Sequence, residues 1–360
     1  MSKKRHKFKK RYLLFLLIPI LAAGIFVAAY IHKLNSQIQR PDEEKVEVKV
    51  NEDVVLEKDD EDESWDIALF GVDARDKSLD KGNRSDVVMI AHVDGKTKKV
   101  NLFSIYRDSY VNIPGKGFDK LTHAYSYGGY ELALSTINTN YDMNIKKFVT
   151  VNFVALEDAV DLLGGIEVDV QQDEVKWING YVTSLHKESG LNKVSLISGP
   201  GKQTLTGSQA VAYCRIRYTD GGDLKRAERQ RTVLNEMFKK AKSTDVSTLM
   251  DIVDTMTKEI YTNLKTSEIV SLAKDVASYE IDKSEGFPYH VVATSDWCYA
   301  DSSKKLAIVA PTNYIGDLET LHNDVLGYKN YVPSSKVKEY EQSLAGYQKP
   351  VTEDTTTENK

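Results

Sequence analysis

Apolar and polar positions fall into three regimes along the chain. Residues 13–31 (LLFLLIPILAAGIFVAAYI) form nineteen consecutive positions without a charge. At about 1.5 Å of rise per residue, an α-helix of that length crosses a bilayer once, and Pro19 is tolerated in that setting. Residues 42–63 invert the pattern, with twelve Asp or Glu and three Lys among twenty-two positions. Such a segment buries too little apolar surface to fold alone and reads as a solvated linker. From Trp65 onward, short apolar runs and amphipathic stretches alternate with turn residues, as in a packed domain.

Within that third regime, 66–73, 86–94 and 100–110 read as strands, with Gly95-Lys96 as a hairpin turn between the last two. Helices are expected over 130–141 and over 156–163, the second stopped by Gly164-Gly165, with strands over 147–153 and 166–170. Residues 171–203 contain Gly180, Gly190, Gly199, Pro200 and Gly201 and read mostly as loop. A helix at 207–213, an extended stretch at 215–218, a Gly-rich turn and a long helix from 224 to about 242 follow. Helices over 247–262 and 266–278, a strand over 287–293 and a helix over 311–325 complete the pattern. Strands and helices intermix, so the fold class is α/β (or α+β) with a mixed sheet. The expected organisation is a basic segment (1–12), a transmembrane helix (13–31), an acidic linker (32–64), one folded domain (65–330) and a disordered tail (331–360).

Charge orients this plan. Lys3, Lys4, Arg5, Lys7, Lys9, Lys10 and Arg11 precede the apolar run. The positive-inside rule then puts the N-terminus in the cytoplasm and everything beyond about residue 33 outside. The length of the run, and the lack of a small-x-small site at its end, favour an anchor over a cleaved signal peptide. The net charge is −5, and −12 without those seven basic residues. So acidic a domain is a poor general binder of nucleic acid. With only residues 1–12 inside, there is also no room for a DNA-reading module. The two cysteines, Cys214 and Cys298, show no metal-binding spacing, and sequence does not decide whether they pair.

The familiar hydrolase, zinc and P-loop motifs are absent from the sequence. What remains is a set of charges at strand ends and in loops. Asp73 follows the first strand, Arg84 and Asp86 open the second, and Arg107 and Asp108 interrupt the third. Strand-end carboxylates suit a hard cation such as Mg²⁺ that shares substrate phosphate oxygens, although each Asp alone also fits a turn cap. A denser cluster holds Arg215, Arg217, Asp223, Arg226, Arg229 and Gln230. In an extended segment Arg215 and Arg217 share one side, with Cys214 and Ile216 turned to the core. Arg226, Arg229 and Gln230 share a helix face, beside an apolar stripe of Ala227, Leu234, Met237 and Phe238. Guanidinium forks match phosphate oxygens in pairs. A pyrophosphate would offset the repulsion of pooling so many of them.

These pieces resemble the LytR-CpsA-Psr family of bacterial envelope proteins. GVDAR (71–75), RSDVVMI (84–90), SIYRDSYV (104–111), KLTHAYSYGG (120–129), VNFVALEDAVDLLGGIEVDV (151–170) and LTGSQAVAYCRIRYTDGGDLKRAERQR (205–231) fall in the family's order, over 65–242. The resemblance implies a mixed central sheet with helices on both faces and an apolar cleft for a polyprenyl tail. It implies a phosphotransferase outside the membrane that moves a glycopolymer, such as teichoic acid or capsule, from a polyprenyl pyrophosphate carrier onto peptidoglycan. By that likeness Asp73 and Asp86 hold Mg²⁺ (or Mn²⁺). Arg84, Arg107, Arg215, Arg217, Arg226, Arg229 and Gln230 hold the pyrophosphate. Arg107 and Arg217 act on the reacting phosphoryl group, and Asp108 and Asp223 are base or positioning candidates. Tyr106 stands where the family usually has Pro. A non-catalytic carrier of polyprenyl phosphates and a pyrophosphatase are the rival readings, because the same arginines serve both.

Overall fold

The computed structural model describes residues 29–41, 47–57, 64–74, 79–189, 195–294 and 307–347. Most of the expected membrane helix, all of residues 1–12 and Cys298 lie outside these residues. Among the described residues no helix is long and apolar enough to cross a membrane.

The described residues begin with a helix at 29–37 (α1). Strands β1 (Val55–Glu57), β2 (Ser64–Val72), β3 (Ser85–Asp94), β4 (Lys99–Ile105), β5 (Tyr110–Ile113) and β6 (Gly117–Lys120) precede α2 (Leu121–Tyr141). Then come β7 (Lys147–Val151), α3 (Phe153–Leu162), β8 (Ile166–Val170), α4 (Val175–Ser189), β9 (Gly201–Leu205), α5 (Gly207–Cys214) and α6 (Gly222–Lys242). The rest is α7 (Val246–Met256), β10 (Ile260–Thr262), α8 (Thr266–Asp275), β11 (Glu280–Phe287), β12 (Val291–Thr294), β13 (Ile308–Pro311), α9 (Tyr314–Thr320), β14 (Lys329–Val332) and α10 (Ser335–Tyr347).

The central sheet has six strands in the order β10-β7-β2-β3-β4-β11. It is mixed: β2 pairs antiparallel with β3 and parallel with β7. The alternation of strand side chains sorts residues onto two faces. Ala68, Phe70, Val88, Ile90, Phe103 and Phe148 point into the main core, where α2, α9 and α10 cover them. Leu69, Gly71, Val87, Met89, Ala91, Leu102 and Val149 point the other way, under α3, α6 and α7. A satellite core of Val168, Ile178, Val182, Ile216 and Val233 joins the β8–β9 ribbon to α4, α5 and α6.

Several elements differ from expectation, each for a local reason. The stretch 171–203 is not mostly loop. It forms α4, whose Ile178 and Val182 are both fully buried, and β9, which pairs with β8 from Ile166↔Leu205 to Val170↔Gly201. Helix α2 starts nine residues earlier than the expected 130–141, because Leu121, Ala124 and Tyr125 already face the core. Its continuity is masked in sequence by Gly128 and Gly129, which adopt non-helical angles. Gly129 has φ +64°, and a Cβ there would approach the Asp80 carbonyl to 2.9 Å. The strand expected to reach 153 stops at Val151, since the Asn152 side chain caps α3 by accepting from the Ala155 N–H. The helix expected over 247–262 ends at Met256, and 260–262 joins the sheet edge as β10 against β7.

The boundaries also move. The expected tail, 331–360, is folded as far as Tyr347: β14 pairs with β1, and α10 buries Val337, Tyr340 and Leu344 in the main core. The expected linker, 32–64, is part of the same body at both ends. Leu34 is fully buried, and Asn51 donates to Thr139 O, Asp142 Oδ1 and Ser334 Oγ.

Candidate functional site

The charged strand ends and the start of α6 meet at one end of the sheet. Val72 pairs with Ser85, which places Asp73 and Asp86 at neighbouring ends of two antiparallel strands. Strand β4 stops at Ile105, and the turn after it carries Arg107 and Asp108. That turn is tied to α2 by the Thr122 N–H to the Arg107 carbonyl (2.9 Å), and Thr122 Oγ1 donates to Ser85 O (2.9 Å). Arg107 NH1 donates to Asp86 Oδ1 (2.5 Å), and Arg217 NH2 reaches Asp86 Oδ2 (3.3 Å). Arg226 NH2 pairs with Asp223 Oδ1 (2.5 Å), whose other neighbour is Arg107 Nε at 3.5 Å. Lys120 Nζ lies 3.2 Å from Asp108 Oδ1. The cluster therefore brings together Asp86, Arg107, Asp108, Arg217, Asp223 and Arg226. Arg84 and Asp73 are exposed beside it.

Two features mark this cluster as a binding site. The Nε of Arg107 is buried between Asp223 (3.5 Å) and Asp108 (3.8 Å) without a well-formed hydrogen bond, so the donor is not fully satisfied within the chain. Burial also perturbs the groups at its centre. It lowers the Arg226 guanidinium to about 10, with Arg107 and Arg217 adding to the effect and Asp223 opposing it. Burial and the like charge of Asp108 raise the Asp223 carboxyl above its ordinary value, against the pull of Arg226, Arg107 and Arg217. Arg107 goes the other way: burial disfavours its charge, but Asp86, Asp108 and Asp223 outweigh it. Perturbed groups gathered at one mouth are a functional signature.

Three expected site residues stand behind the cluster rather than in it. Arg229 is 2% exposed and donates to Glu174 Oε1 (2.7 Å), Ile216 O (3.4 Å) and Thr219 Oγ1 (2.5 Å). It clamps the 215–221 loop onto α4, so it shapes the site. Arg215 is not extended: it ends α5 in the right-handed helical region. Its guanidinium lies over the rings of Phe153 (5.1 Å) and Tyr181 (5.7 Å), so it does not share a side with Arg217. Gln230 Nε2 donates to Cys214 O (3.4 Å), and Gln230 lines a cavity under the cluster. Cys214 is a free, buried thiol, as its expected inward orientation requires, and burial pushes it up to about 12. Sequence reasoning missed Glu174, fifty-five residues from Arg229 and inside a stretch read as loop. It also gave Lys120 no role. The carboxylate pattern around Arg107 offered a signal only for the latter.

Beneath the cluster the open face of the sheet is hollow. A cavity of about 200 Å³ is walled by Leu69, Val87, Met89, Val149, Leu234 and Met237, and reaches Val72 and Gln230 at the charged end. A second, of about 330 Å³, shares Leu69, Ala159, Leu234 and Met237 with it and continues to Leu249, Leu272 and Tyr279. Apart from Asn152 and Gln230 the lining is apolar, and the shared wall makes the two neighbours along one apolar channel, whose end at Val72 and Gln230 adjoins Asp73 and Arg229 in sequence. Among the described residues no three His, Cys, Asp or Glu converge on a metal position. Asp73 and Asp86 offer the oxygen donors that a hard divalent cation takes. Both Asp86 oxygens face guanidinium groups, however, and Asp73 is exposed, so the pair supplies at most part of such a shell, the rest being left to water or phosphate oxygens.

An apolar channel beside a cluster of arginines is the arrangement of a class: α/β proteins with room for an apolar tail next to donors for an anionic head. The comparisons identify the lineage. The LytR_cpsA_psr family model matches residues 25–306, and the chain belongs to that family. The polyisoprenyl-teichoic acid–peptidoglycan teichoic acid transferase TagT of Bacillus subtilis is 34% identical over 263 residues, covering 72% of this chain and 78% of its own. TagU of Enterococcus faecalis is 34% identical over 223 residues, 60% of this chain and 67% of its own. Among solved structures, TagT bound to LI-WTA superposes with TM-score 0.56 at 28% identity, covering 80% of this chain and 97% of that one. The family protein YwtF (TagT) with bound octaprenyl pyrophosphate lipid gives TM-score 0.53 at 25% identity, covering 81% and 99%.

Proposed function

We propose that this chain is a phosphotransferase of the outer membrane surface, moving a wall glycopolymer from a polyprenyl pyrophosphate carrier onto peptidoglycan. The observation that carries the reading is the junction of channel and cluster. A polyprenyl tail fits the apolar channel, and its pyrophosphate then sits where Arg107, Arg217 and Arg226 converge, with Arg84 at the rim. Arg229 and Arg215 act by holding the 215–221 loop and the α5 terminus in shape, and Gln230 borders head and tail.

In the reaction, an acceptor hydroxyl attacks the phosphorus that carries the glycan. The bond between that phosphorus and the bridging oxygen breaks, and polyprenyl monophosphate leaves. The hydroxyl proton goes to a carboxylate, for which Asp223, with its raised pKa, is the stronger base and Asp108 its neighbour. The arginines are prealigned by Asp86 and Asp223 onto the oxygens where charge grows. Asp73 and Asp86 would hold Mg²⁺ or Mn²⁺, which neutralises pyrophosphate charge when bound.

The test is reconstitution of the full chain in lipid nanodiscs with a polyprenyl-pyrophosphate-linked glycan and peptidoglycan fragments. Expected are a phosphodiester-linked product and released polyprenyl phosphate, both lost on chelation and both reduced roughly 10²–10³-fold in Arg107→Ala. Binding without turnover would make the protein a carrier. Release of phosphate without linked product would make it a pyrophosphatase. Either outcome overturns the proposal.

A further inference from the structure

Helix α1 is fixed to the domain along its length and runs in the same direction as α7. The Tyr30 hydroxyl donates to Met250 O (3.3 Å), Lys33 pairs with Asp254 (2.8 Å) and Thr257 Oγ1 donates to Gln37 Oε1 (3.1 Å). Thr266 Oγ1 at the start of α8 donates to Asn35 Oδ1 (3.0 Å), and Arg40 donates to Thr262 O and Leu264 O. The end of the apolar run, at Tyr30, therefore lies not on a free stalk but against Met250 in the middle of α7, and the parallel course of α1 aims the residues before it towards the N-terminal end of α7.

That end of α7 is the corner where α6 turns into it, and three observations meet there. The last turn of α6 carries Lys239, Lys240 and Lys242, all exposed. Lys239 pairs with Glu236, and the corner's carboxylate, Asp245, is taken by the Thr248 N–H and O–H as a helix cap. Val246, the first residue of α7, leaves 51% of its surface in solvent. The far section of the channel reaches the same corner, walled by Phe238, Ala241 and Leu249, and the Lys242 ammonium lies 6.0 Å over the Phe238 ring.

We propose that the α6–α7 corner is a membrane seat. Lys239, Lys240 and Lys242 lie against anionic lipid headgroups, Val246 dips into the interface, and an apolar tail passes from the bilayer into the channel beside them. Residues 29–37 set this orientation by welding the anchor to α7. The seat stands on the geometry of α1 and the corner, with residues 13–31 as the membrane anchor, and the tail's passage rests in addition on the transferase reading.

The experiment uses the full chain, with Cys298→Ser, in nanodiscs containing phosphatidylglycerol and spin-labelled lipid. A fluorophore is attached at V246C or, on the exposed face of α10, at K336C. The fluorophore at 246 is quenched and that at 336 is not. Replacing all three lysines by Glu, or by Gln where Glu disturbs the melting temperature, diminishes the quenching, as does raised salt. Equal quenching at both positions, or none at 246, overturns the seat. Transfer from a long-chain donor in the bilayer falls in the Lys→Glu variant, while transfer from a short, water-soluble polyprenyl pyrophosphate donor is unchanged. A wild type that transfers from neither donor overturns the transferase reading and leaves the quenching to judge the seat.

Discussion

On one face of the central sheet Phe70, Phe103 and Phe148 meet Tyr125, Tyr130, Tyr141 and Phe287. The rings interlock: Tyr130 stacks on Phe148 at 4.0 Å, and Phe103 and Tyr141 both stand edge-on to Phe287. On the other face the same strands present Leu, Val, Ala, Met and Gly to helices that do not close the space, leaving about 200 Å³ and about 330 Å³ unfilled. Alternate residues of one strand thus build a packed solid and a hollow. Protein interiors close-pack when side chains allow it, so the hollow reflects a choice of small and flexible residues under α6. The solid face supports a site that the hollow face serves.

That contrast can be broken in order of effect. Phe148→Ala opens a void in the solid face and costs about 3–5 kcal/mol of unfolding free energy, measured by urea titration. Leu234→Trp fills the hollow instead. Its unfolding free energy stays within about 1 kcal/mol of wild type, while transfer from a long-chain donor drops at least about tenfold and octaprenyl pyrophosphate binding weakens with it. A destabilisation like that of Phe148→Ala would mean the open face is an ordinary core.

At the mouth of the hollow, the raised Asp223 carboxyl must lose its proton to act as a base. The acid limb of kcat/KM against pH therefore lies above the ordinary carboxylate range, and Asp223→Asn loses it. The smallest effect belongs to the rim of the solid face. Asp119 is half-buried, which disfavours its charge, but His123 (2.9 Å), the Tyr127 hydroxyl (2.7 Å) and the Lys120 N–H hold its carboxyl down to about 2. A depressed carboxyl stabilises the fold above its ordinary value and ceases to as pH falls through its folded one. Asp119→Asn should lower the melting temperature slightly at neutral pH, with the gap closing as pH falls from about 4 to about 2.

The solid face was the more legible in sequence. Strands β2 and β3 and the turn after Asp94 follow from pattern, whereas the strand expected over 100–110 is two: β4 stops at Ile105, the turn with Arg107 and Asp108 follows, and β5 starts a separate ribbon at Tyr110. Helix α4 was not legible. Its Gly180 and short apolar set read as loop until Val168 and Ile216 are brought against Ile178 and Val182 from distant sequence. Acidic composition disguised the linker in the same way, since Asn51 and Leu34 fold by contacts with residues far along the chain. In the site, Asp86, Arg107, Arg217, Asp223 and Arg226 lie within ion-pair reach of one another, although their motifs are far apart in sequence. The division of labour among the arginines did not show in sequence. Arg226 and Arg229 share a helix face, yet one pairs with Asp223 at the mouth and the other is sealed behind it by Glu174.

The hollow also has a mechanical meaning. A folded chain that encloses empty space occupies more volume than the same chain unfolded and hydrated, so hydrostatic pressure favours its unfolding. Here that excess lies under α6 and is removable, because an apolar tail lodged there would erase it without touching the solid face. The volume change of unfolding, read from pressure titrations with and without a lodged tail, is therefore a physical gauge of occupancy that needs no turnover.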